Sequence, residues 1–329
     1  MREGTIKYLV TGGTGFIGSA LVKRLLEEGS QVRVLDNGLR GDRGRLKDVA
    51  KRIELIDGDI RDIKTVQEAC RGVDAVCHLA FLNGTEFFYS NPELVLEIGV
   101  KGMVNVLDAC IQNRVRELIL ASSSEVYQTP PKTPTDETAP LSIPDPLNPR
   151  YSYAGGKIIS ELLAINYGRK HFDRVVIFRP HNVYGPDMGW EHVIPQLSLR
   201  MKEIAAKHPG KKVDFPIQGS GQETRAFIFI DDFTRGLMQV IKKGDHLGIY
   251  HIGTMDEVTI KDVAIKIGQY FEKEVSVVPG KLAEGGTIRR CPDIAKLKKI
   301  GFVPTITLDE GLRRTVTWYD KNADKRPKK

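Results

Sequence analysis

Cysteine and tryptophan are scarce in this chain, four and two among 329 residues. Cys70, Cys77, Cys110 and Cys291 show neither a Cys-x-x-Cys pair nor a Cys/His spacing. A structural metal and a disulfide framework therefore have no sequence support. Cys77 and Cys110 lie in apolar surroundings, as reduced core residues do. No apolar run approaches the ~20 residues of a membrane span. No charged-then-apolar leader opens the chain, so the expected location is the cytoplasm. Repeats are absent, as is any low-complexity tract beyond the tail. The net charge is +7, but no basic stripe interleaved with aromatics accompanies it, and nucleic acid is not an expected partner. Part of the excess falls at the very end, on Lys321, Lys325, Arg326, Lys328 and Lys329, read as a solvated tail. Arg40, Arg43 and Arg45 carry another part, and a basic cleft suits a multiply phosphorylated small molecule.

What is present is ordinary for a soluble globular protein, 41% hydrophobic and 28% charged. The first half alternates β-rich runs (5–11, 31–36, 53–57, 75–79, 117–122, 174–180) with helical ones (16–28, 62–70, 92–113, 153–171). That alternation predicts an α/β fold, a doubly wound parallel sheet of Rossmann type. Beyond Val183, Gly and Pro become frequent and helices mix with single short strands. The chain is accordingly divided into a nucleotide-binding domain, 1–180, and a smaller mixed α/β substrate lobe, 181–329, with a strand or helix lent back to the first. Seven prolines between 129 and 149 preclude a regular element there.

Two constellations carry chemistry. Residues Tyr8 to Ala20 run from an apolar strand through Gly12, Gly13, Gly15 and Gly18 into a helix. Such a turn presents backbone N–H groups and a helix N-terminus to a pyrophosphate. Asp36 closes the next apolar run, 18 residues beyond Gly18, where a carboxylate accepts from the adenosine ribose hydroxyls; this favours NAD over NADP. The strand ends Gly12, Asp36, Asp59, Ala80 and Ser123 gather where such sheets bind ligands. The second constellation is Tyr153-Ala-Gly-Gly-Lys157, a phenol and an ammonium one helical turn apart. A nearby cation is expected to pull the phenol below its usual pKa of about 10, making Tyr153 a general base. Ser122-Ser123-Ser124-Glu125 ends a strand thirty residues upstream, where a hydroxyl meets the reacting oxygen.

With these residues in place the chain resembles the NAD-dependent nucleotide-sugar epimerase/dehydratase family of extended short-chain dehydrogenases/reductases. The likeness runs through Thr11-Gly-Gly-Thr-Gly-Phe-Ile-Gly18, Gly58-Asp-Ile-Arg-Asp62, His78-Leu-Ala80, Ser122-Ser-Ser-Glu-Val-Tyr127, Tyr153-x-x-x-Lys157, Arg179-Pro-His-Asn-Val-Tyr-Gly-Pro186, Gly219-x-Gly-x-x-Thr-Arg225, Phe229-Ile-Asp-Asp232 and Arg289-Arg-x-Pro-Asp293. The resemblance implies a cofactor site of Gly12, Gly15, Phe16, Ile17, Gly18, Asp36, Asn37, Asp59, Ile60, Leu79 and Ala80, with Tyr153 and Lys157. It implies a catalytic set of Ser123, Tyr153 and Lys157, joined by Ser124 and Glu125, and a diphosphate site of Asn182, Arg225 and Arg289. It also implies a homodimer through helices 92–113 and 153–171.

Four positions depart from the pattern: Phe81 where a small residue is common, Gly99 where Asn is frequent, Gln128 in place of Gly, and His181 before Asn182 where an aromatic residue is usual. Phe81 narrows the pocket beside the nicotinamide, and without the Asn any proton relay differs. His181 fits a pocket wall or a contact to cofactor or sugar. Family members begin alike, by oxidising the sugar at C4. Dehydratases often carry Asp-Glu after the catalytic hydroxyl; Ser124-Glu125 resembles decarboxylase and GDP-mannose dehydratase patterns and is tolerated in epimerases. Because the first acid is missing, the leading expectation is a nucleotide-sugar 4-epimerase. The alternatives are a 4,6-dehydratase or a UDP-glucuronate-type decarboxylase and, more remotely, a non-catalytic sensor.

Overall fold

The short β-branched runs form strands and the apolar-striped segments form helices, in a computed structural model that describes residues 5–281 and 287–327. In chain order the first part holds β1 (Lys7–Thr11), α1 (Phe16–Glu27), β2 (Gln31–Asp36), β3 (Ile53–Asp57), α2 (Ile63–Cys70), β4 (Ala75–His78), α3 (Thr85–Ser90), α4 (Pro92–Leu96), α5 (Gly102–Gln112), β5 (Glu117–Ala121), α6 (Ser152–His171) and β6 (Arg174–Pro180). The second part holds β7 (Val183–Tyr184), α7 (Val193–Lys207), β8 (Lys212–Pro216), β9 (Thr224–Ala226), β10 (Ile228–Phe229), α8 (Ile230–Lys243), β11 (Gly248–Ile252), β12 (Glu257–Thr259), α9 (Ile260–Tyr270), β13 (Glu274–Val278), β14 (Arg289–Arg290), α10 (Ala295–Lys299) and α11 (Leu308–Lys321).

Seven strands pair in the order β11-β6-β5-β4-β1-β2-β3, all parallel. Successive residues point to opposite faces, so both layers of helices are fed by each strand. Val10, Val34, Cys77, Ile119 and Val176 pack on one side, with α1 and α8. Leu9, Leu35, Val76, Leu118 and Ile177 pack on the other, with α2, α5 and α6. The strand order reverses between β1 and β4, and the crevice at their carboxyl ends is where a ligand site belongs.

β11 comes from beyond residue 180 yet pairs with β6 from Gly248↔Val176 to Ile252↔Pro180. The rest of the second part builds a three-stranded sheet, β12-β9-β14, and two pairs, β10-β7 and β13-β8. Residues 129–148 form neither helix nor strand; they are tied to the end of the chain by Thr135 N–H to Cys291 O (2.9 Å) and Asp293 N–H to Thr135 O (2.7 Å).

Segment 92–113 differs from the single helix expected. It is α4, a π-helical turn over Glu97–Lys101, then α5. Gly99 and Gly102 lie at that bulge, where the Phe81 ring and the Ile60 side chain press in too closely for any Cβ, and a side chain inserted against a helix is a physical cause of such bulges. Of the terminal cations, Lys321 belongs to α11, and Lys328 and Lys329 lie outside the described residues. Among the described residues no helix is long and apolar enough to cross a membrane.

Candidate active site

β1 delivers its last residue to the crevice and the chain must turn at once. Gly12 does so at φ +73, and a Cβ there would stand 2.7 Å from Ala80 N. Its N–H donates to Leu35 O at 2.9 Å. At Gly18 a Cβ would overlap the Gly12 carbonyl, so α1 can seat on the turn only with glycine there. Gly15 is the N-cap of α1 and has no side-chain cap. The helix N-terminus is therefore open to an anion. Phe16 and Ile17 contribute backbone to this end, because their side chains pack into the core.

Asp36, at the end of β2, accepts from Thr14 N–H (2.9 Å) on one oxygen and from Gly38 N–H (2.8 Å) on the other. Each oxygen keeps a further lone pair for a ribose hydroxyl. Asn37 donates from Nδ2 to Asp59 Oδ2 at 3.0 Å. Asp59 also pairs with Arg61 at 2.8 Å, which holds its carboxyl below the usual carboxylate range. A cavity runs along Gly12, Gly15, Asp36, Asp59, Leu79 and Ala80, and Asn37 and Ile60 also line it. The Asp36 carboxylate, the glycine cradle and the open helix end together fit a dinucleotide.

Beside the cavity the reactive side chains converge. Ser123, just past β5, caps a 3-10 turn over Ser124–Tyr127, accepting from Glu125 N–H at 3.1 Å. α6 starts after that turn and brings Tyr153 and Lys157 inward; both are buried. Burial pushes the Tyr153 phenol up to about 12; its hydrogen bond with Ser123 opposes that shift. Burial also pushes Lys157 down to about 7, against the pull of Glu161. The expected depression of the tyrosine by its lysine is thus not the dominant effect, because desolvation disfavours the charged form of each. Lys157 Nζ donates to Ala121 O at 2.7 Å and lies 4.0 Å from the centre of the Phe81 ring.

Ser124 is buried beside them. Burial pushes the Glu125 carboxyl up, but Arg290, Arg150 and Arg225 outweigh it and hold it low. Its ion pair with Arg290 measures 2.6 Å. Gln128 stands at φ +53, a conformation glycine adopts freely, and its amide donates to Glu125 O at 2.6 Å.

The three residues expected to hold a diphosphate separate in the structure. Asn182 Nδ2 donates to Ala226 O at 3.2 Å, beside β9. The Arg225 guanidinium is braced by Thr224 O and Thr287 O, both at 2.7 Å. Burial and the neighbouring Arg290 push its pKa down to about 10. Arg289 is the exception: it turns outward to a bidentate pair with Glu257, at 2.5 and 2.8 Å. Its neighbour Arg290 faces Glu125 instead. In a two-residue strand successive side chains take opposite faces, and the sequence Arg289-Arg290 does not say which is inward.

Also missed was a buried network behind the pair. Glu161 accepts from Arg179 Nε (2.8 Å) and Arg179 Nη2 (2.6 Å), and Ser122 Oγ donates to it. Arg179 Nη1 reaches the Tyr127 hydroxyl, which bonds His251 Nε2 at 2.6 Å. The signal was available, since Glu161 follows Lys157 by the spacing at which Lys157 follows Tyr153. His181 is buried against His251, with ring centres 4.6 Å apart and no hydrogen-bond partner on either nitrogen.

Residues 8–253 match the sequence model of the NAD dependent epimerase/dehydratase family. UDP-glucuronic acid decarboxylase 6 from Arabidopsis thaliana is 32% identical over 314 residues, covering 94% of this chain and 88% of the relative. The crystal structure of DesIV (dTDP-glucose 4,6-dehydratase) from Streptomyces venezuelae with NAD and TYD bound superposes with a TM-score of 0.85 at 30% identity, covering 97% of this chain and 98% of that one. UDP-glucose 4-epimerase from Thermus thermophilus in complex with NAD gives 0.82 at 28% identity, covering 95% and 99%.

Proposed function

The chain belongs to the NAD-dependent epimerase/dehydratase family, and from that premise we propose that it decarboxylates a nucleoside-diphosphate uronic acid. The coarser statement needs no proposal: this is an NAD-dependent enzyme that modifies nucleotide sugars. The relatives do not favour epimerisation over the alternatives, and the expectation of a 4-epimerase gives way to decarboxylation on one observation. The missing acid beside Glu125 counts only against dehydration; what bears on the choice against epimerisation is the cationic surround of Glu125, which begins with its Arg290 ion pair. Three guanidiniums, Arg150, Arg225 and Arg290, act on this one carboxylate. The positive excess suits a substrate that carries a carboxylate as well as a diphosphate. The likeness to a UDP-glucuronic acid decarboxylase supports the same reading.

When bound, NAD supplies a hydride acceptor at the sugar's C4 that later gives the hydride back. Gly12, Gly15, Gly18, Asp36, Asn37, Asp59 and Ala80 would hold it. Tyr153 takes the C4 hydroxyl proton as general base, and Ser123 donates a hydrogen bond to the same oxygen. Lys157 in its charged form stabilises the phenolate. Oxidation makes the C6 carboxylate β to a ketone, so the C5–C6 bond breaks to CO2 and leaves an enolate. Ser123 and Tyr153 stabilise that oxyanion by donating hydrogen bonds to it. A proton from solvent water is added at C5 to give the 4-keto pentose, and Tyr153 returns its own proton as the C4 alcohol re-forms.

Proton NMR of the enzyme with UDP-glucuronic acid, UDP-glucose and dTDP-glucose, with CO2 measured in parallel, tests this. Stoichiometric CO2 and a UDP-pentose from the uronic acid are the expected result. A 4-epimer with the carboxylate intact refutes decarboxylation and supports the second reading, which the T. thermophilus likeness favours. A 6-deoxy-4-keto sugar assigns a dehydratase, and bound NAD with no turnover assigns a sensor. Leu96, Ile159 and Leu162 remain exposed on the two expected dimer helices, which supports a homodimer; light scattering after gel filtration checks it.

A further inference from the structure

Phe81 follows the His78-Leu79-Ala80 turn, and its ring wedges between the catalytic helix α6 and the π-helical turn at Glu97–Lys101. The ring centre lies 4.0 Å from Lys157 Nζ. The ring also meets Tyr153 edge-on, with centroids 5.1 Å apart at 80°. On its other side Tyr153 is stacked by Phe88 of α3, centroids 5.0 Å apart at 23°. Two glycines make the slot. A Cβ at Gly99 would overlap the Phe81 ring, and one at Gly156, between Tyr153 and Lys157, would stand 2.9 Å from its tip.

We infer that Phe81 is a positioning residue for the Tyr153–Lys157 pair: its ring face holds the ammonium against Ala121 O and fills the space beside it with hydrocarbon. The inference rests on the reading of Lys157 as the partner of the catalytic tyrosine. A cation over a ring face is held most strongly where water is excluded, and Lys157 is buried. The groups facing Lys157 are Tyr153 and Glu161 on its own helix, Phe81, the Ala121 carbonyl of β5 and His78 of β4. His78 is held neutral, pushed down to about 3 by burial and by Lys157. Glu161 is therefore the one charge opposite the ammonium in this set, and the ring supplies its other electrostatic support. A reaction that starts and ends with an alcohol at C4 needs no net proton exchange at that oxygen. A sealed Tyr–Lys pair suits such a cycle, keeping the proton through the oxidised stage and returning it. Gly99, lacking a side chain, makes room for the ring.

The test follows the Lys157 ammonium itself. In protein labelled with 15N-lysine, the Lys157 signal is assigned by its loss in Lys157→Arg and titrated with and without NAD. Phe81→Leu keeps the slot filled but removes the ring face, and it should move the Lys157 titration about one pH unit lower. The alkaline limb of kcat should shift with it. Should Phe81→Leu fold poorly, a fluorinated phenylalanine at position 81 drains the ring face at almost unchanged shape and should move the titration the same way by less. An unchanged Lys157 titration in both proteins overturns the inference. Gly99→Ala should cut kcat about ten-fold with Phe81 in place and less than about two-fold in Phe81→Leu, since neighbours sharing one space are non-additive. Equal losses in the two backgrounds overturn the slot. A shifted titration in a protein that turns over no nucleotide sugar upholds the contact and refutes the proposed reaction instead.

Discussion

Removing the Glu161 carboxylate should unfold this protein several degrees earlier and disturb the active site at the same time. Glu161 and Arg179 are each 2% exposed and joined at 2.6 Å. Glu161→Ala leaves the Arg179 guanidinium buried without its counter-charge, which costs about 3–5 kcal/mol. Unfolding entropy scales with chain length, so at 329 residues each kcal/mol is worth roughly 1.4 °C, and the melting midpoint should fall by about 4–7 °C. Differential scanning calorimetry at pH 7 reads the drop directly. Replacing both partners together, Glu161→Leu with Arg179→Met, should recover at least half of it, because no unpaired charge is then buried. Glu161 also props up the Lys157 ammonium, so Glu161→Ala should lower the pH at which activity falls on the alkaline side. A loss under about 1 °C, or a double variant less stable than Glu161→Ala, refutes the reasoning.

Tyr153→Phe should reduce kcat by about 10²–10⁴-fold, the usual worth of a general base, while NAD titrated by fluorescence binds nearly as before. Arg290→Ala should lower kcat/KM by about 30–1000-fold through loss of charge-assisted contacts to the substrate, whereas Arg289→Ala, which only opens an exposed pair with Glu257, should cost less than about three-fold; steady-state kinetics on the two variants separate them. Lys157 has a folded pKa of about 7, below its unfolded value, so its charge destabilises the fold fully below pH 7 and the penalty fades as pH rises toward 10.5. Lys157→Met should therefore abolish turnover yet raise stability at pH 6 by about 2–4 kcal/mol, with a smaller gain near pH 10; urea denaturation at the two pH values checks this.

The strands and the glycine turn were legible because they depend on short-range rules. Gly12, Gly15 and Gly18 are spaced for a strand-to-helix turn, Asp36 ends an apolar run, and Tyr153 and Lys157 sit one helical turn apart. Each signal lies within a few residues and implies its own geometry. What was not legible depends on the other side of a contact. Arg289 and Arg290 differ only in which face of β14 they take, and that is fixed by the pairing Arg290↔Arg225 with a strand 65 residues earlier. The π-helical turn at 97–101 answers to a ring at position 81, so helical periodicity alone read the segment as one helix. The tyrosine's raised pKa reflects how deeply α6 is covered, not the lysine spaced one turn along it.

The strand exchange between the two halves carries a consequence for how the protein is made. β6 is complete once residue 180 has been synthesised, but its neighbour on the sheet edge, β11, begins only at Gly248. Sixty-seven residues, 181–247, must emerge in between. At 5–20 residues per second this leaves the β6 edge unpaired for roughly 3–13 s on the ribosome. That edge carries Val175, Val176, Ile177 and Phe178, all fully buried in the finished protein. Nascent chains stalled between residues 180 and 247 should thus be far more prone to edge-to-edge association than those stalled past Ile252.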